Sequence, residues 1–183
     1  MNVSAVEVGD RLDDLELARA DGTPVMLGDV VRRPTIIPIV RYYGCMPCRD
    51  FLITLDELRD QAHESRIGLL GVGRAADYQA SHLMETAVGY ELLLDPDQHL
   101  YEALSLRRFP WWRMLDPRTW RNYLRSLRRA RQGRITNHPL QSPGVVVLDG
   151  NLRVLYLHRG ATIGDYPPAA EVIEHAIAAT RRA

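Results

Sequence analysis

The chain has only two cysteines, Cys45 and Cys48, and they are separated by Met46 and Pro47. Two thiols at this spacing can close a disulfide within one helical turn. They follow a short apolar run and precede a helical pattern, so we expect them at the start of a helix. There the backbone N–H groups and the helix dipole favour a thiolate. The spacing therefore predicts a redox-active dithiol rather than a pair of structural cysteines.

A metal site is the alternative chemistry for the same two thiols. A structural zinc ion takes four ligands, but the chain has no second Cys-x-x-Cys motif. The next histidine, His63, lies about four helical turns further along. We therefore expect no metal. Gly71-Val72-Gly73 lacks the third glycine of the dinucleotide fingerprint, and we expect no cofactor either.

The elements that must position the cysteines follow from the hydrophobic pattern. Alternating residues on either side of Asp21-Gly22 predict a β-hairpin. The apolar run 34–40 predicts a buried strand that ends just before the cysteines, although Pro38 within it indicates a sheet edge or a bulge. An amphipathic helix is predicted over about 47–63, since its first turn accommodates a proline.

Beyond this helix the pattern alternates between strands and helices. We predict strands at 67–72, 91–94, 145–148 and 152–157, helices at 75–88, around 98–104 and at 168–181, and a basic helix that begins at Pro117 after the N-cap Asp116. Parallel βαβ units followed by an antiparallel pair predict an α/β fold with a central mixed sheet flanked by helices. The length of 183 residues is typical of a single domain.

This order of elements resembles the thioredoxin fold, and within it the AhpC/TSA, peroxiredoxin-like family. The segments similar to that family are the opening 8–27, the redox loop 41–49, the L-D-P-D…L-Y-x-x-L stretch at 94–104 and the terminal hairpin at 144–156. The resemblance implies a single thioredoxin-like domain over 1–183 with an N-terminal β-hairpin. It also implies an inserted arginine-rich helical segment at about 107–141, and a thiol-dependent oxidoreductase of the two-cysteine C-x-P-C type.

Several positions depart from the peroxiredoxin pattern. When the redox loops are aligned, Cys48 takes the peroxidatic position, Cys45 stands where the family has Thr or Ser, and Arg41 stands where it has Pro. Pro143 occupies the place of the later catalytic arginine and instead matches the cis-proline of thioredoxins. That match implies a cis bond after Ser142. These substitutions favour dithiol chemistry over peroxide reduction.

The first hypothesis is accordingly a thiol–disulfide oxidoreductase acting in cellular redox homeostasis. Cys45, nearer the mouth of the helix, would attack a substrate disulfide, and Cys48 would resolve the mixed disulfide. We expect as partners a disulfide-containing protein or a small thiol or peroxide, and a thiol reductant that supplies electrons. The residues expected to form the active-site loop and face the substrate are Tyr43, Gly44, Met46, Pro47, Arg49, Ser142 and Pro143.

Two other functions stay open. A peroxiredoxin-like antioxidant enzyme would reduce peroxides with Cys48 as the peroxidatic thiol and Cys45 as the resolving thiol. A redox-sensing binding module would instead use the arginine-rich helix as its working surface. In each case an arginine near the loop, such as Arg41, would favour the thiolate or would form a structural salt bridge.

Charge is distributed unevenly along the chain. The net charge is zero and there is no lysine, yet residues 107–134 hold ten arginines and one acidic residue. Such a stretch can bind phosphates or an anionic membrane. The neutral total argues against a dedicated nucleic-acid binder. The sequence therefore favours a structural or homodimeric role for this segment over nucleic-acid or membrane binding.

The large apolar side chains of the same segment carry a second expectation. Trp120, Leu124 and Leu127 share one face of the predicted basic helix. We expect this face to pack on the domain while the arginines face solvent. Trp111 and Trp112 are likewise expected to pack in the core of the inserted segment.

The compartment is predicted from three features. Residues 1–7 lack the basic and apolar regions of a signal peptide, and no apolar run is long enough to span a membrane. Two cysteines with this spacing are typical of redox chemistry in a reducing compartment. We therefore expect a cytoplasmic location.

Overall fold

The computed structural model describes residues 5–74, 77–135 and 140–181. The strands are β1 (Glu16–Ala18), β2 (Pro24–Met26), β3 (Thr35–Ile39), β4 (Gly68–Leu69), β5 (Gly71–Gly73), β6 (Leu92–Leu94), β7 (Gly144–Leu148) and β8 (Val154–Arg159). The helices are α1 (Leu27–Val30), α2 (Met46–Glu57), α3 (Arg59–Glu64), α4 (Asp77–Thr86), α5 (His99–Ala103), α6 (Pro117–Ser126) and α7 (Ala169–Thr180), with a 3₁₀ helix at Trp111–Leu115. The predicted start of the fourth helix, at Ala75 and Ala76, lies outside the described residues.

All eight strands form one sheet in the order β2-β1-β6-β5-β3-β7-β8, with β4 also beside β3. Strands β3, β5 and β6 are parallel, whereas β7 is antiparallel to β3 and β8 is antiparallel to β7. The β1–β2 hairpin joins the sheet through β6. The α/β class, the mixed sheet and the N-terminal hairpin predicted from the sequence are confirmed.

Pro38 lies in the central strand β3, between β5 and β7, and the expectation of a sheet edge is wrong. Its effect falls on the neighbouring strand. The Leu70 N–H donates to the Ile36 carbonyl at 3.1 Å. In a regular parallel ladder, the next hydrogen bond would run from the N–H of residue 38 to the Leu70 carbonyl. Proline has none. The ladder is interrupted there, and the single strand predicted at 67–72 is two short strands.

Helix α2 carries the redox loop against the sheet. Its buried side chains include Phe51, Leu52 and Leu55, which fix the helix on one face of the sheet. The predicted helix over 47–63 is divided at Leu58, whose backbone leaves helical geometry before α3 begins. Because β3 ends at Ile39 in the middle of the sheet, the loop between β3 and α2 starts from the most constrained part of the fold.

The arginine-rich segment leaves and rejoins the sheet at adjacent points. Arg108 and Gln141 form an antiparallel bridge, and residues 136–139 of the segment lie outside the described residues. At the start of α6, the Asp116 carboxylate accepts the Arg118 N–H at 2.8 Å. The predicted N-cap is therefore confirmed.

The expected packing of the apolar side chains in this segment is wrong. Trp120, Leu124 and Leu127 are exposed, as are both tryptophans of the 3₁₀ helix. The face of α6 that meets the domain carries polar side chains instead, among them the buried Thr119 and Ser126. Among the described residues, no helix is both long and apolar enough to cross a bilayer.

Candidate active site

Cys45 is the N-cap residue of α2, and Cys48 lies in the first turn of that helix. Both side chains are fully buried and both thiols are free. The two sulfurs are hydrogen-bonded to each other. The local sequence explains this juxtaposition, because Pro47 fits the first turn of a helix and brings positions 45 and 48 onto one side of it.

A buried arginine supplies positive charge beside the sulfurs. Arg41 Nη1 donates to Cys45 Sγ at 3.4 Å and to the Tyr123 hydroxyl at the same distance. Burial disfavours the charged guanidinium, but attraction to Cys45 and Cys48 outweighs it and keeps the pKa of Arg41 above its ordinary value. The guanidinium is therefore a permanent cation next to the dithiol.

The two thiols are not equivalent. Burial by itself would raise the pKa of Cys48, but the hydrogen bond from Cys45, the charge of Arg41 and a hydrogen bond from Tyr166 lower it from 9.0 to about 7. Burial raises the pKa of Cys45 well above its ordinary value, and its hydrogen bond to Cys48 adds to that rise. The site therefore favours a thiolate at Cys48 and a proton on Cys45.

Tyr166 is a site residue that the sequence did not single out. It follows β8, and its hydroxyl donates to the Ile39 carbonyl at 3.4 Å and also contacts Cys48. Its ring stacks on Phe51 with centroids 4.4 Å apart. Burial raises the pKa of Tyr166 well above its ordinary value, so it stays a hydrogen-bond donor. No local sequence signal places this phenol beside a thiol so distant in the chain.

The inserted segment covers the redox loop through residues 131–134, which we call the strap. The Gly44 carbonyl accepts the Gly133 N–H at 2.7 Å and the Gln132 side-chain amide at 2.8 Å. The Met46 N–H lies in the first turn of α2, where helix N–H groups have no acceptor within the helix, and it donates to Gln132 Oε1 at 3.2 Å. The strap thus satisfies backbone groups of the loop that holds the cysteines.

Two further contacts fix the strap at its ends, and two glycines allow its close approach. Arg49 Nη1 donates to the Arg131 carbonyl at 3.2 Å, and Gln79 Nε2 donates to the Arg134 carbonyl at 2.9 Å. A Cβ on Gly133 would lie 2.9 Å from the Cα of Gly44. Direct backbone contact therefore closes the loop from solvent.

The predicted loop residues divide between the site and its supports. Pro47 packs beside Gly164, where an added Cβ would lie 2.6 Å from the Pro47 Cβ. Gly44, Met46 and Arg49 contact the strap, as described above. Tyr43 points away from the loop, because its hydroxyl donates to the Leu93 carbonyl at 2.5 Å within the sheet. We expect Tyr43 to support the fold rather than to face a substrate.

Ser142 and Pro143 lie at the same edge of the sheet as the redox loop, since Gly144 pairs with Ile39 at the end of β3. The Ser142 hydroxyl donates to the carbonyl of Gly160, the residue that follows β8, at 2.7 Å. The described residues contain no cis peptide bond, so the cis-proline implied by the resemblance is wrong. Tyr166, rather than Pro143, supplies the described polar contact to Cys48.

Two cavities lie on either side of the loop. The larger, of about 440 Å³, separates α2 from α6, and the smaller, of about 270 Å³, lies beside Gly44 and the strap. Pro47 and Tyr166 connect the larger cavity to the dithiol. Its other lining residues include Asp50, Phe51, Asn122, Arg125, Arg128 and Arg129. A small molecule in this cavity would be one layer of side chains away from Cys48.

A metal ion does not suit the two sulfurs. Within the described ranges, no group of three or more histidine, cysteine or acidic side chains is arranged so that it could hold a metal ion. The Arg41 guanidinium contacts the Cys45 sulfur and would repel a cation held there. The donor set is that of a thiolate site, with hydrogen-bond donors and a positive charge around one sulfur.

Comparison with solved structures supports the fold. Peroxidoxin BcpB from Mycobacterium tuberculosis aligns over 97% of both chains with a TM-score of 0.69 and 17% identity. A PrxQ mutant from Xylella fastidiosa aligns over 96% of this chain and 98% of its own, with a TM-score of 0.70 and 14% identity. A structure described as a thiol:disulfide interchange protein DsbE, from Chlorobium tepidum, aligns over 96% and 99% with a TM-score of 0.62 and 16% identity.

Sequence comparison identifies the family. The thioredoxin-like protein AAED1 of Arabidopsis thaliana, described as chloroplastic, is 24% identical over 90% of this chain and 71% of its own. The prostamide/prostaglandin F synthase of Bos taurus is 26% identical over 76% of this chain and 72% of its own. The family model described as AhpC/TSA antioxidant enzyme matches residues 54–162, more than half of the chain. The chain therefore belongs to the AhpC/TSA family and is a peroxiredoxin-like, thiol-dependent oxidoreductase.

Proposed function

We propose that this chain cycles between a Cys45/Cys48 dithiol and a disulfide, and that Cys48 is the thiol that attacks first. The geometry that carries the proposal is a buried dithiol at the first turn of α2, with the Arg41 guanidinium on Cys45 and the Tyr166 hydroxyl beside Cys48. This arrangement lowers the pKa of Cys48 to about 7 and raises the pKa of Cys45. The thiolate is the reactive form of a cysteine. The order of attack is the reverse of the one expected from proximity to the helix mouth.

We further propose that the oxidant is a small peroxide. Both sulfurs are fully buried, and the strap closes the loop with backbone hydrogen bonds. A peptide disulfide would need the strap to move before it could reach either sulfur. A hydroperoxide needs only a narrow path, and the cavity beside Pro47 and Tyr166 lies next to Cys48.

The proposed reaction balances without a cofactor. The Cys48 thiolate attacks one peroxide oxygen; the O–O bond breaks, and the other oxygen leaves as an alcohol or water after taking a proton. Cys48 is then a sulfenic acid. The Cys45 thiol attacks that sulfur, an S–S bond forms and water leaves. A donor dithiol reduces the Cys45–Cys48 disulfide and is itself oxidised to a disulfide.

The reducing step defines the partner and the compartment that belong to this proposal. The donor is a thiol reductant of small-molecule or protein type, and a cytoplasmic location would supply it. The strap must open for this step, unlike the peroxide step, because a donor thiol has to approach the disulfide in line with the S–S bond.

Exchange with a protein disulfide is the second candidate. It is favoured by the position of Cys45 at the N-cap of α2, under the same strap, with Ser142 and Pro143 just before β7 at the neighbouring end of the sheet. Displacement of the strap would expose Cys45 first. Cys45 would then begin the reaction and Cys48 would complete it.

Rapid mixing of reduced protein with hydrogen peroxide tests the proposal. Wild type is expected to react more than about 100-fold faster than a free thiol at pH 7, because donors around the thiolate also stabilise the transition state. Cys45→Ser should keep that fast first step and stop as a sulfenic acid, whereas Cys48→Ser should lose it.

The opposite pattern would overturn the proposal. If Cys45→Ser abolishes the fast step and Cys48→Ser keeps it, Cys45 attacks first. If peroxide reacts no faster than with a free thiol while a protein disulfide is reduced rapidly, disulfide exchange is the activity.

A further inference from the structure

Exposed apolar side chains are concentrated on one part of the molecule. Of the ten large apolar side chains that are exposed among the described residues, eight lie between 111 and 135. They are Trp111, Trp112, Met114, Leu115, Trp120, Leu124, Leu127 and Ile135. We call the first seven the apolar face. Isolated exposed apolar residues are normal on a protein surface, but a contiguous group indicates an interaction site.

Helix α6 presents its apolar residues to solvent because its polar face is bound to the domain. Asn122 Nδ2 donates to the Ile163 carbonyl at 3.0 Å, and Ser126 Oγ donates to Asp50 Oδ2 at 2.9 Å. Tyr123 contacts Arg41 on the same side of the helix. The stripe of Trp120, Leu124 and Leu127 is rotated about 120° away from these residues at 100° per residue. Its side chains are 60%, 66% and 61% exposed.

Arginines flank this face. Arg118, Arg121, Arg125 and Arg128 are exposed on α6 and just beyond it. Within 107–134 the ten arginines are accompanied by one acidic residue, Asp116. Its carboxylate is engaged by the Arg118 N–H and by Arg113. The surface therefore combines tryptophan, leucine and methionine with a strong excess of positive charge.

We propose that this face docks on the surface of a bilayer that contains anionic phospholipids. A helix with tryptophan and leucine on one side and arginine beside them lies in the plane of such an interface, with the apolar side chains in the headgroup boundary. Arginine side chains then reach lipid phosphates at the same depth. This inference does not depend on the redox proposal, and it departs from the sequence-based preference for a structural or homodimeric role of this segment.

Charge complementarity selects this occupant over two others. A two-fold interface between copies of the chain would bring the arginines of one copy against those of the other, with a single acidic residue on each side. Such an interface is opposed by like-charge repulsion. Duplex nucleic acid would satisfy the arginines but would leave Met114, Leu115 and Leu124 uncovered.

Vesicle binding tests the proposal directly, and the chain carries its own probe. All three tryptophans lie on the proposed surface. Co-sedimentation with phosphatidylglycerol/phosphatidylcholine vesicles at low salt is expected to remove most of the protein from solution, and the tryptophan emission should shift to shorter wavelength. Pure phosphatidylcholine vesicles are expected to bind at least about tenfold less, since each arginine contributes at an anionic surface.

Matched variants separate the apolar and the charged contributions. Leu124→Ser should weaken vesicle binding several-fold, whereas Val8→Ser, an exposed aliphatic residue elsewhere, should not change it. Replacing Arg118 and Arg121 together with glutamine should also weaken binding, while the same change at the exposed Arg11 and Arg33 should have a smaller effect. Cys45→Ser should bind as wild type does.

Three results would overturn the proposal. The first is no sedimentation with anionic vesicles at low salt. The second is equal vesicle binding by the Leu124→Ser and Val8→Ser variants together with an unchanged tryptophan emission spectrum. That result would mean that the arginines bind the vesicle surface without insertion of the apolar side chains. The third is a concentration-dependent dimer that Leu124→Ser abolishes while vesicles fail to bind, which would assign the face to a second copy of the chain.

Discussion

The body of the chain and the described part of the arginine-rich segment (107–135 and 140–141), called the insert below, are held in place by different kinds of side chain. In the body, every residue of β3 and β7 is buried, and most of these side chains are aliphatic. In the insert, α6 turns Thr119 and Ser126 inward and leaves its apolar residues in solvent. The body is therefore stabilised mainly by apolar burial. The insert is attached by a set of directional hydrogen bonds, each with a net contribution of about 1 kcal/mol.

Because of this difference, the stability of the fold depends on the body, whereas the cover over the active site depends on the insert. Cys45 and Cys48 belong to the body, but the strap that covers them belongs to the insert. Because the hydrogen bonds of the strap are individually weak, it can open without loss of the core. The rigid region positions the sulfurs, and the weakly attached region covers them.

The largest expected difference is in the free energy of unfolding, and one leucine substitution in each region tests it. Leu55→Ala in α2 removes a fully buried side chain and should lower the free energy of unfolding by about 2–5 kcal/mol. Leu124→Ala in α6 removes an exposed one and should change it by less than about 0.5 kcal/mol. Urea unfolding of the two variants measures both values. Equal losses would show that the apolar face of α6 is packed in solution.

Arg41 connects the two regions, since its guanidinium contacts Cys45 in the body and Tyr123 in the insert. Arg41→Gln removes the positive charge that lowers the pKa of Cys48, so the midpoint of thiolate formation should rise from about 7 towards 9.0. The thiolate predominates only above its pKa, and the reaction with peroxide at pH 7 should fall several-fold, to a limit of about 50-fold if the whole shift is lost.

The pH profile of alkylation by iodoacetamide measures this midpoint. Arg41→Lys, which keeps the charge, should retain most of the shift. Tyr123→Phe removes only the hydroxyl contact from the insert and should move the midpoint far less than Arg41→Gln. A midpoint unchanged in Arg41→Gln would mean that the guanidinium does not stabilise the thiolate.

The strap should slow the reaction of large reagents with the two cysteines by a modest factor. Gln132→Ala removes its hydrogen bonds to Gly44 and Met46 while leaving the sulfurs untouched. If the closed position of the strap becomes less stable by about 1–2 kcal/mol, the cysteines should react with a bulky disulfide reagent about 5- to 30-fold faster. Gln61→Ala, on the exposed surface of α3, is the matched control. If both variants react at the wild-type rate, the strap does not limit access.

The smallest effect should be confined to the insert. Ser126→Ala removes the hydrogen bond to Asp50 and should favour local opening of α6 by about 1 kcal/mol. Hydrogen exchange of the α6 amides should accelerate, while exchange in β3 and β7 stays unchanged. An equal acceleration in the central strands would show that insert and body unfold as one unit.

Most of the body could be predicted from the sequence because its signals are local. Alternation around Asp21-Gly22 produces the hairpin, and the proline after Cys45 is consistent with the helix that starts there. Asp116 caps α6 as expected. Pro38 shows the limit, because its effect falls on β4 and β5, which only the pairing of strands brings beside it.

The candidate site was less predictable, because its electrostatics depend on residues far apart in the chain. The asymmetry between the two thiols depends on Arg41 and on Tyr166, which reaches Cys48 only after β8 has paired with β7. The strap depends on a glycine contact between Gly44 and Gly133 that no short motif encodes.

The sequence by itself determined that two thiols lie at the start of a helix behind a buried strand, within an α/β fold of a known family. These features follow from residue spacing and periodicity, which act over a few neighbouring residues. Only the tertiary structure decided which charged and polar groups surround the two thiols, what covers them and which face of α6 meets solvent. Burial, long-range hydrogen bonds and charge placement arise when distant segments pack together, and they place Arg41 and Tyr166 at the dithiol, the strap over the redox loop and the apolar face in solvent.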